Sequence, residues 1–475
     1  MEILYFGLRH NFFAFDNSYA RELTGCYAPG AAAQVPAPRM VKLNRGLAAE
    51  LGLDAEALDS EAGAAIFAGN SVPEGAFVLA QAYAGHQFGH FVPQLGDGRA
   101  LLLGEVVDTA GRRRDLHLKG SGRTAFSRGG DGKAALGPVL REYLLGEAMH
   151  GLGVPTTRAL AAVTTGEMVV REQPFPGAVL TRVAASHIRV GTFQFFASRG
   201  DTEKLRQLAD YTIRRHYPGV TGYLGLLGAV IDAQASLIAH WMHIGFIHGV
   251  MNTDNMAISG ETIDYGPCAF MDGYKALTVF SSIDRGGRYA YGQQPEIALW
   301  NLARFAETLL PLIGGDVEAA TAELQRFGEL YESYWERGMR AKLGLMTEEA
   351  GDAELARGLL QTMEAGGMDY TQTFRGLGRG VALGAWGEKW RVRLAREGAT
   401  PEGRAEAMER VNPAYIARNH QVETSLAAAA EGADFGPFET LCEVLAAPFT
   451  ERAGWEGYAG PAPGGNLGYK TFCGT

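Results

Sequence analysis

Apolar and polar positions change period several times along this chain, and each change predicts a different kind of element. Val41–Leu53 places its apolar residues at helical spacing. From Arg99 the pattern shortens to strands: ALLLGEVVD, a Thr109-Ala110-Gly111 turn, then RRRDLHLKG, where Leu116 and Leu118 alternate with His117 and Lys119. Lys119 therefore closes a strand on its polar face. Pro138, tolerated in a first turn, opens a helix with Gly151 near its end. Strands follow over Thr157–Val163, over Glu167–Arg171 beyond a Thr165-Gly166 turn, and over Ala178–Val183. Past residue 200 the period is helical: 202–217, then 223–247, then a helix after Gln294-Pro295, then most of 315–430. The 223–247 helix is apolar on most faces and is expected to be buried. The last 45 residues return to Gly- and Pro-rich loops. The fold class these patterns predict is α+β, an antiparallel sheet with one helix followed by a helical region.

The 223–247 helix runs into His248–Gly266, HGVMNTDNMAISGETIDYG, where His248, Asn252, Asp254, Asn255 and Asp264 fall within one short stretch. A β-hairpin is readable inside it, with Met256–Ser259 and Thr262–Ile263 on either side of a Gly260-Glu261 turn. Such a hairpin sets Asn255 and Asp264 side by side, two oxygen ligands for a hard cation that keeps most of its waters and holds a phosphate. Asp264-Tyr265-Gly266 resembles the metal-holding Asp-Phe-Gly of protein kinases, and the spacing from His248 to Asn255 resembles their catalytic loop. Plain turn chemistry also favours Asn, Asp and Gly. It does not require oxygen ligands at both ends of one hairpin.

Composition narrows the classes. With 475 residues, 47% hydrophobic and 20% charged, the chain is globular, with two or three domains or one large two-lobed unit with extensions. Forty-three basic against 53 acidic residues give −10, which argues against a general nucleic-acid or anionic-membrane binder and makes any anion site local. No uninterrupted apolar run approaches the roughly 20 residues of a bilayer span, and the start lacks a basic region before an apolar core, so a cytoplasmic location is expected. Cys26, Cys268, Cys442 and Cys473 are scattered without paired spacing, which fits a reducing compartment and excludes a zinc ribbon. Cys473, third from the end, sits where a thiol is available for redox chemistry.

A local positive field is available in GSGRTAFSRGGDGKAALG (120–137), where only Asp131 offsets Arg123, Arg128 and Lys133. Such a loop brings backbone N–H groups and guanidiniums close to phosphates, or is a plain surface loop, and the two readings stand level. Gly96-Asp97-Gly98 ahead of the strand carrying Lys119 resembles a kinase glycine-rich loop and its lysine, although it is also a good plain turn. The helix after Pro138 offers Glu142 or Glu147 to pair with that lysine; Glu142, which precedes Tyr143-Leu144, is preferred. Arg182 and Arg189 lie in apolar surroundings and need an anion each, either phosphate or carboxylate. His86 and His90 would share a face of a helix, but Gly85, Gly89 and Pro93 weaken that helix, so they read as core or loop histidines.

Six motifs together resemble the selenoprotein O family: GDGR (96–99), HLKGSGRTAFSRGGDG (117–132), LTRVAASHIRVGTFQFF (180–196), HGVMNTDNM (248–256), IDYGPCAFMD (263–272) and QQPEIALWNLAR (293–304). The resemblance spans about 76–304. It implies a protein-kinase-like two-lobed fold, with an extension over 1–75, an N-lobe over 76–185, a C-lobe core over 186–310 and a helical C-terminal region over 311–475. It implies transfer of AMP from ATP to Ser, Thr or Tyr hydroxyls of protein substrates, with the nucleotide flipped relative to kinases and pyrophosphate released. It implies Asp254 as proton acceptor, since Val250 stands where a kinase has its aspartate, with Asn255 and Asp264 as ligands of Mg²⁺ or Mn²⁺. Gly96, Gly98, Arg99, Lys119, Asp131, Gly132, Arg182 and Arg189 are implied around the nucleotide. Cys473 takes the place of the family's C-terminal selenocysteine or cysteine, and a disulfide from it to Cys268 would pull on the metal site. A monomer that binds neither nucleic acid nor membrane is expected. Two rival functions use the same residues: an ordinary phosphotransferase built on Lys119, Asn255 and Asp264, and a silent nucleotide-binding pseudokinase scaffold suggested by Val250.

Overall fold

The computed structural model describes residues 12–465 and 468–472. The chain forms two compact units. The first takes the chain up to Ala82, Gly96–Val139 and Arg158–His187; the second takes Tyr83–Leu95, Leu140–Thr157 and the chain from Ile188 onward.

In chain order the first strands are β1 (Tyr27–Pro29), β2 (Arg39–Leu43), β3 (Leu79–Gln81), a short pair β4 (Gly85–Gln87) and β5 (His90–Val92), then β6 (Ala100–Val107), β7 (Arg113–Lys119), β8 (Ala134–Ala135), β9 (Arg158–Val170) and β10 (Pro174–Ala184). All but β4 and β5 build one antiparallel sheet in the first unit, in the order β1-β3-β6-β7-β10-β9-β2, with β8 against β10. The β6–β7 connection closes as an Asx-turn, with Asp108 Oδ1 accepting from the N–H groups of Ala110 (3.0 Å) and Arg112 (2.8 Å). Helices α1 (Ser18–Glu22), α2 (Arg45–Glu50), α3 (Ala55–Leu58) and α4 (Glu61–Ala68) complete the unit. Leu47, Leu58, Ile66 and Phe67 pack with Leu116, Leu118, Val163 and Val179 of the sheet into one core. Truncating Phe67 to Ala there costs roughly 3–5 kcal/mol.

Two local expectations are corrected. The helix expected over Val41–Leu53 is a strand and then a helix, because Asn44 both ends β2 and caps α2: its N–H donates to the Leu160 carbonyl at 2.8 Å and its Oδ1 accepts from the Leu47 N–H at 3.0 Å. No turn forms at Thr165-Gly166. β9 runs through it with a register shift against β10, and Gly166, at φ +78°, supplies the left-handed residue such a bulge takes.

The second unit is mainly helical: α5 (Leu136–Gly151), which starts in the first unit's chain, α6 (Val190–Ala197), α7 (Thr202–His216), α8 (Gly222–Ile244), α9 (Gln294–Leu309) and α10 (Val317–Lys342). Beyond these lie α11 (Asp352–Gly366), α12 (Tyr370–Leu377), α13 (Gly384–Leu394), α14 (Pro401–Glu409), α15 (Asn419–Gly432) and α16 (Gly436–Ala446). The last is a further correction, since loops were expected there. Pro437 is accommodated in its first turn, and Phe438, Leu441, Val444 and Leu445 bury one face.

Among the described residues α8 is the one helix long and apolar enough to cross a membrane. Here it packs against α9 and α10 and buries Leu226, Val230, Ile231 and Ile238. Gly245, at φ +70°, caps it and turns the chain into β11 (Phe246–Ile247), which pairs with β12 (Ala269–Phe270). The His248–Cys268 stretch is thus a loop held at its base by two short strands. Further on, Thr471 straps the segments on both sides of β12. The Thr471 N–H donates to Phe280 O at 2.9 Å, the Ser282 N–H donates to Thr471 O at 3.0 Å, and Thr471 Oγ1 donates to Pro267 O at 2.6 Å.

Candidate active site

The loop between β11 and β12 closes through His248. Its Nε2–H donates to the Ile263 carbonyl at 2.8 Å, one residue before Asp264, while its own N–H donates to Gln294 Oε1 at 3.0 Å. Burial holds the ring's proton affinity below the ordinary histidine value, so it serves as a neutral tie. The hairpin expected over 256–263 is corrected. The chain does reverse, with the Gly260 N–H donating to Ala257 O at 3.2 Å, but the arms pair outward, Ala257 with Arg189 and Thr262 with Thr156. Arms this short cannot sustain a ladder alone and take partners from the surrounding fold.

Arg189, the residue before α6, joins the two ends of the loop. Its Nη1 donates to the Asp254 carbonyl at 3.0 Å and stands 3.6 Å from Asp264 Oδ2, and its guanidinium lies 4.4 Å over the Tyr83 ring. Asp264 sits at φ +65°, a conformation rare outside glycine and concentrated at functional sites. The Asn255 Nδ2 donates to Val250 O at 2.9 Å, which fixes the orientation of its amide.

Asp254 lies on a single 3₁₀ turn, Thr253–Asn255, and is 9% exposed. Its Oδ2 accepts from Gln87 Nε2 at 3.3 Å, while its Oδ1 is buried with no hydrogen-bond partner. Desolvation pushes the carboxyl up to about 6, with the Arg189 charge working against the rise. A buried carboxyl with an unspent oxygen and a proton affinity near neutrality is equipped to take a proton from a hydroxyl.

The β4–β5 hairpin, with Phe88 (φ +51°) and Gly89 (φ +84°) in its turn, positions this loop. The His86 N–H donates to Thr253 Oγ1 at 2.7 Å and the Phe88 N–H to Asn252 Oδ1 at 3.0 Å; Tyr289 OH donates to the same Asn252 oxygen at 2.7 Å. His86 is therefore a strand residue of β4, where a core or loop histidine was expected, and stands opposite Phe91 rather than paired with His90. Nothing in the sequence assigned this hairpin a role, because its three-residue strands are too short to show a period. The Gly89 turn was its one visible sign.

In the first unit, Gly96 and Gly98 are packed by the 123–133 loop. A Cβ on Gly96 would meet the Phe126 ring at 2.2 Å, Thr124 Oγ1 donates to Asp97 O at 2.5 Å, and Ser127 Oγ donates to Gly98 O. Gly132, at φ +70°, lies so close to the Gly122 carbonyl that a Cβ would stand 2.0 Å from its oxygen. Asp131 is clamped by Arg171 (2.8 and 3.0 Å) and Lys133 by Glu167 (2.7 Å), which leaves Arg99, Arg123 and Arg128 without a carboxylate partner among the described residues. Lys119 ends β7 between Ala100 and Leu180. Glu142 lies on α5 in the second unit and is buried, whereas Glu147 is half-buried.

Arg182 meets two histidines. Its Nε donates to His187 Nε2 at 3.1 Å and its Nη2 to His117 Nδ1 at 3.3 Å; His117 in turn donates to Asp97 at 3.1 Å and His187 to Asp115 at 2.9 Å. Burial, with His117 and Arg182 adding to it, holds His187 down at about 3, so it accepts from Arg182 as a neutral ring. This network was not legible in the sequence, because its members come from separate strands and loops.

Among the described residues no three His, Cys, Asp or Glu side chains converge on one point. A cation bound by Asn255 and Asp264 would keep waters and substrate oxygens in its remaining positions, which suits Mg²⁺. Cys268 is buried; desolvation pushes its thiol up to about 12, with Arg141 nearby opposing the rise. Cys473 lies outside the described residues.

A buried carboxyl with an unspent oxygen, beside a loop carrying Asn255 and Asp264 and held by a guanidinium, is a set of groups suited to enzymes that transfer phosphoryl and nucleotidyl groups. Comparison with known proteins narrows that class. The family model described as protein adenylyltransferase SelO matches residues 12–382, and the chain belongs to that family. It is 62% identical to a protein nucleotidyltransferase YdiU of Cereibacter sphaeroides, over 98% of this chain and all of that protein. It is 58% identical to the protein of the same name in Rhizobium meliloti, over 98% of this chain and 99% of that one. The enzyme is a nucleotidyltransferase.

Proposed function

We propose that this protein transfers AMP from ATP to Ser, Thr or Tyr hydroxyls of proteins, its two compact units being the lobes of a kinase-like fold. The observation that carries the mechanism is Asp254, buried, with one unpartnered oxygen and a carboxyl held near 6, in a loop whose kinase-type base position is Val250. Asp254 accepts the acceptor hydroxyl's proton as the oxygen attacks the α-phosphorus. The bond between the α-phosphorus and its bridging oxygen breaks, and pyrophosphate leaves with that electron pair. Asn255 and Asp264 would hold Mg²⁺ or Mn²⁺, which when bound neutralises charge on the phosphate oxygens. Lys119, Arg99, Arg182 and Arg189 are assigned to the phosphates, with Gly96, Gly98, Asp131 and Gly132 around the nucleotide and Glu142 as partner of Lys119. A γ-phosphate that is not transferred has to be held, and these cations supply the charge for it.

Incubation with ATP labelled at the α- or the γ-phosphate tests the reading. Protein should carry the α label only. Retention of the γ label alone would make the enzyme a phosphotransferase, and no label at all would make it a silent nucleotide-binding scaffold.

A further inference from the structure

Beyond Asp254, the hairpin turn leads to a second, cationic site. Gln87 touches the base, Phe88 touches Asn252, and the next residue, Gly89, faces Arg288: a Cβ there would stand 3.8 Å from the Arg288 Cζ. The Arg288 guanidinium thus faces a turn residue two positions from the one that contacts Asp254. It also stands 4.7 Å over the Trp300 ring, which Arg304 approaches at 5.1 Å and the His86 ring meets edge-on at 5.3 Å.

What marks Arg288 is its missing anion. Its Nε is buried with no hydrogen-bond partner, and it makes no ion pair among the described residues. The nearest acid in sequence, Asp284, is spent on backbone: its Oδ1 accepts from the Arg288 N–H at 2.9 Å and its Oδ2 from the Tyr289 N–H at 2.8 Å. Arg304, by contrast, is paired with Glu307. After burial, which dominates, the charges of Arg304 and Arg288 both weigh against protonation of His86, as expected of a locally positive site. A half-buried guanidinium stacked on an indole, beside the Tyr289 hydroxyl and left without a carboxylate, is prepared to receive one. The adjoining Tyr289 is bound to Asn252, two residues from Asp254, so such a carboxylate would arrive on the same polypeptide as the attacking hydroxyl.

We infer that Arg288, supported by Trp300, is a specificity site that receives an Asp or Glu side chain flanking the modified hydroxyl of the protein substrate. The inference rests on the proposed transfer to protein hydroxyls and adds to it the charge of the acceptor sequence.

Soluble protein extract incubated with the enzyme and α-labelled ATP, followed by mapping of the modified peptides, tests it. With the unaltered enzyme, Asp and Glu should be enriched several-fold over background within three positions of the modified residue. Arg288→Ala should bring that enrichment to background and lower kcat/KM for acid-flanked acceptors about tenfold; Arg288→Glu should favour Lys- and Arg-flanked sites, and Arg288→Lys should retain the acidic preference. If no peptide is modified, the proposed function fails. Modified sites without acidic enrichment in the unaltered enzyme, or enrichment that persists in Arg288→Ala, overturn this inference and leave the proposed function standing. Should Arg288→Ala fail to fold, Arg288→Lys and Arg288→Glu carry the same comparison, and a preference that is unchanged in Arg288→Glu overturns the inference.

Discussion

The Asp254 carboxyl is held at about 6 where an exposed aspartate lies near 3.8, because burial penalises its charged form. A proton acceptor must be ionised, so kcat/KM is expected to rise as pH passes through about 6 and to level off above about 7. The same shift acts on stability in the opposite sense. The folded state holds this proton more tightly than the unfolded one, so the group favours folding fully below its unfolded value, and that contribution is lost as pH rises through about 6. Asp254→Asn should therefore lose at least about 10²-fold in kcat and yet melt higher than wild type at neutral pH, the difference vanishing near about pH 4. Thermal melts across that range, beside a rate assay, measure both. At Asp264 the backbone limits the choice of test. Asn tolerates φ +65° as Asp does, whereas Ala adds strain there. Asp264→Asn should fold and should weaken Mg²⁺-dependent ATP binding by about tenfold or more, read by titration calorimetry. Unchanged affinity would place the cation elsewhere.

Elements were legible where they were long. The β6–β7 pair, the helix after Pro138 and the buried helix leading to His248 all show many repeats of one period. The 85–92 hairpin shows almost none, and the role of Gly85 emerges only once Asp254 is in place. A Cβ on Gly85 would stand 2.8 Å from Asp254 Oδ1 and 3.0 Å from Leu95 Cδ1. Gly85→Ala should therefore push the Asp254 carboxyl aside and, with Asp254 as the proposed base, lower kcat about tenfold with the KM for ATP held; steady-state kinetics at fixed acceptor check this. The same blindness to partners explains the 256–263 arms. The Gly260 turn was readable, but that Ala257 and Thr262 would pair with Arg189 and Thr156 was not, because pairing across 68 or 106 residues leaves no local trace. His248, Asn255 and Asp264 were recognisable by their spacing, whereas Gln87 and Arg288 carry no motif.

Long-range ion pairs hold the second unit together at a larger scale. Arg418, wholly buried, donates to Asp272 Oδ1 and Asp369 Oδ2, both at 2.6 Å, and to the Ala459 carbonyl at 2.8 Å. It joins the segment after β12, the start of α12 and the chain beyond α16 at one point. Arg418→Met would leave two carboxylates without their cation and should cost about 3–5 kcal/mol, seen as a lower urea midpoint. Activity should fall with it, since Asp272 lies eight residues after Asp264.

The strap made by Thr471 has a consequence for the order in which the enzyme is made. Pro267, whose carbonyl it binds, is synthesised 204 residues earlier. The stretch that follows Asp264 thus lacks this clamp until residue 471 has left the ribosome, however early the units themselves fold. A nascent chain could acquire its sheet and its buried helices while the segment after Asp264 still lacked its clamp. Emergence of Thr471, rather than folding of either unit, would then be the event that arms the transferase.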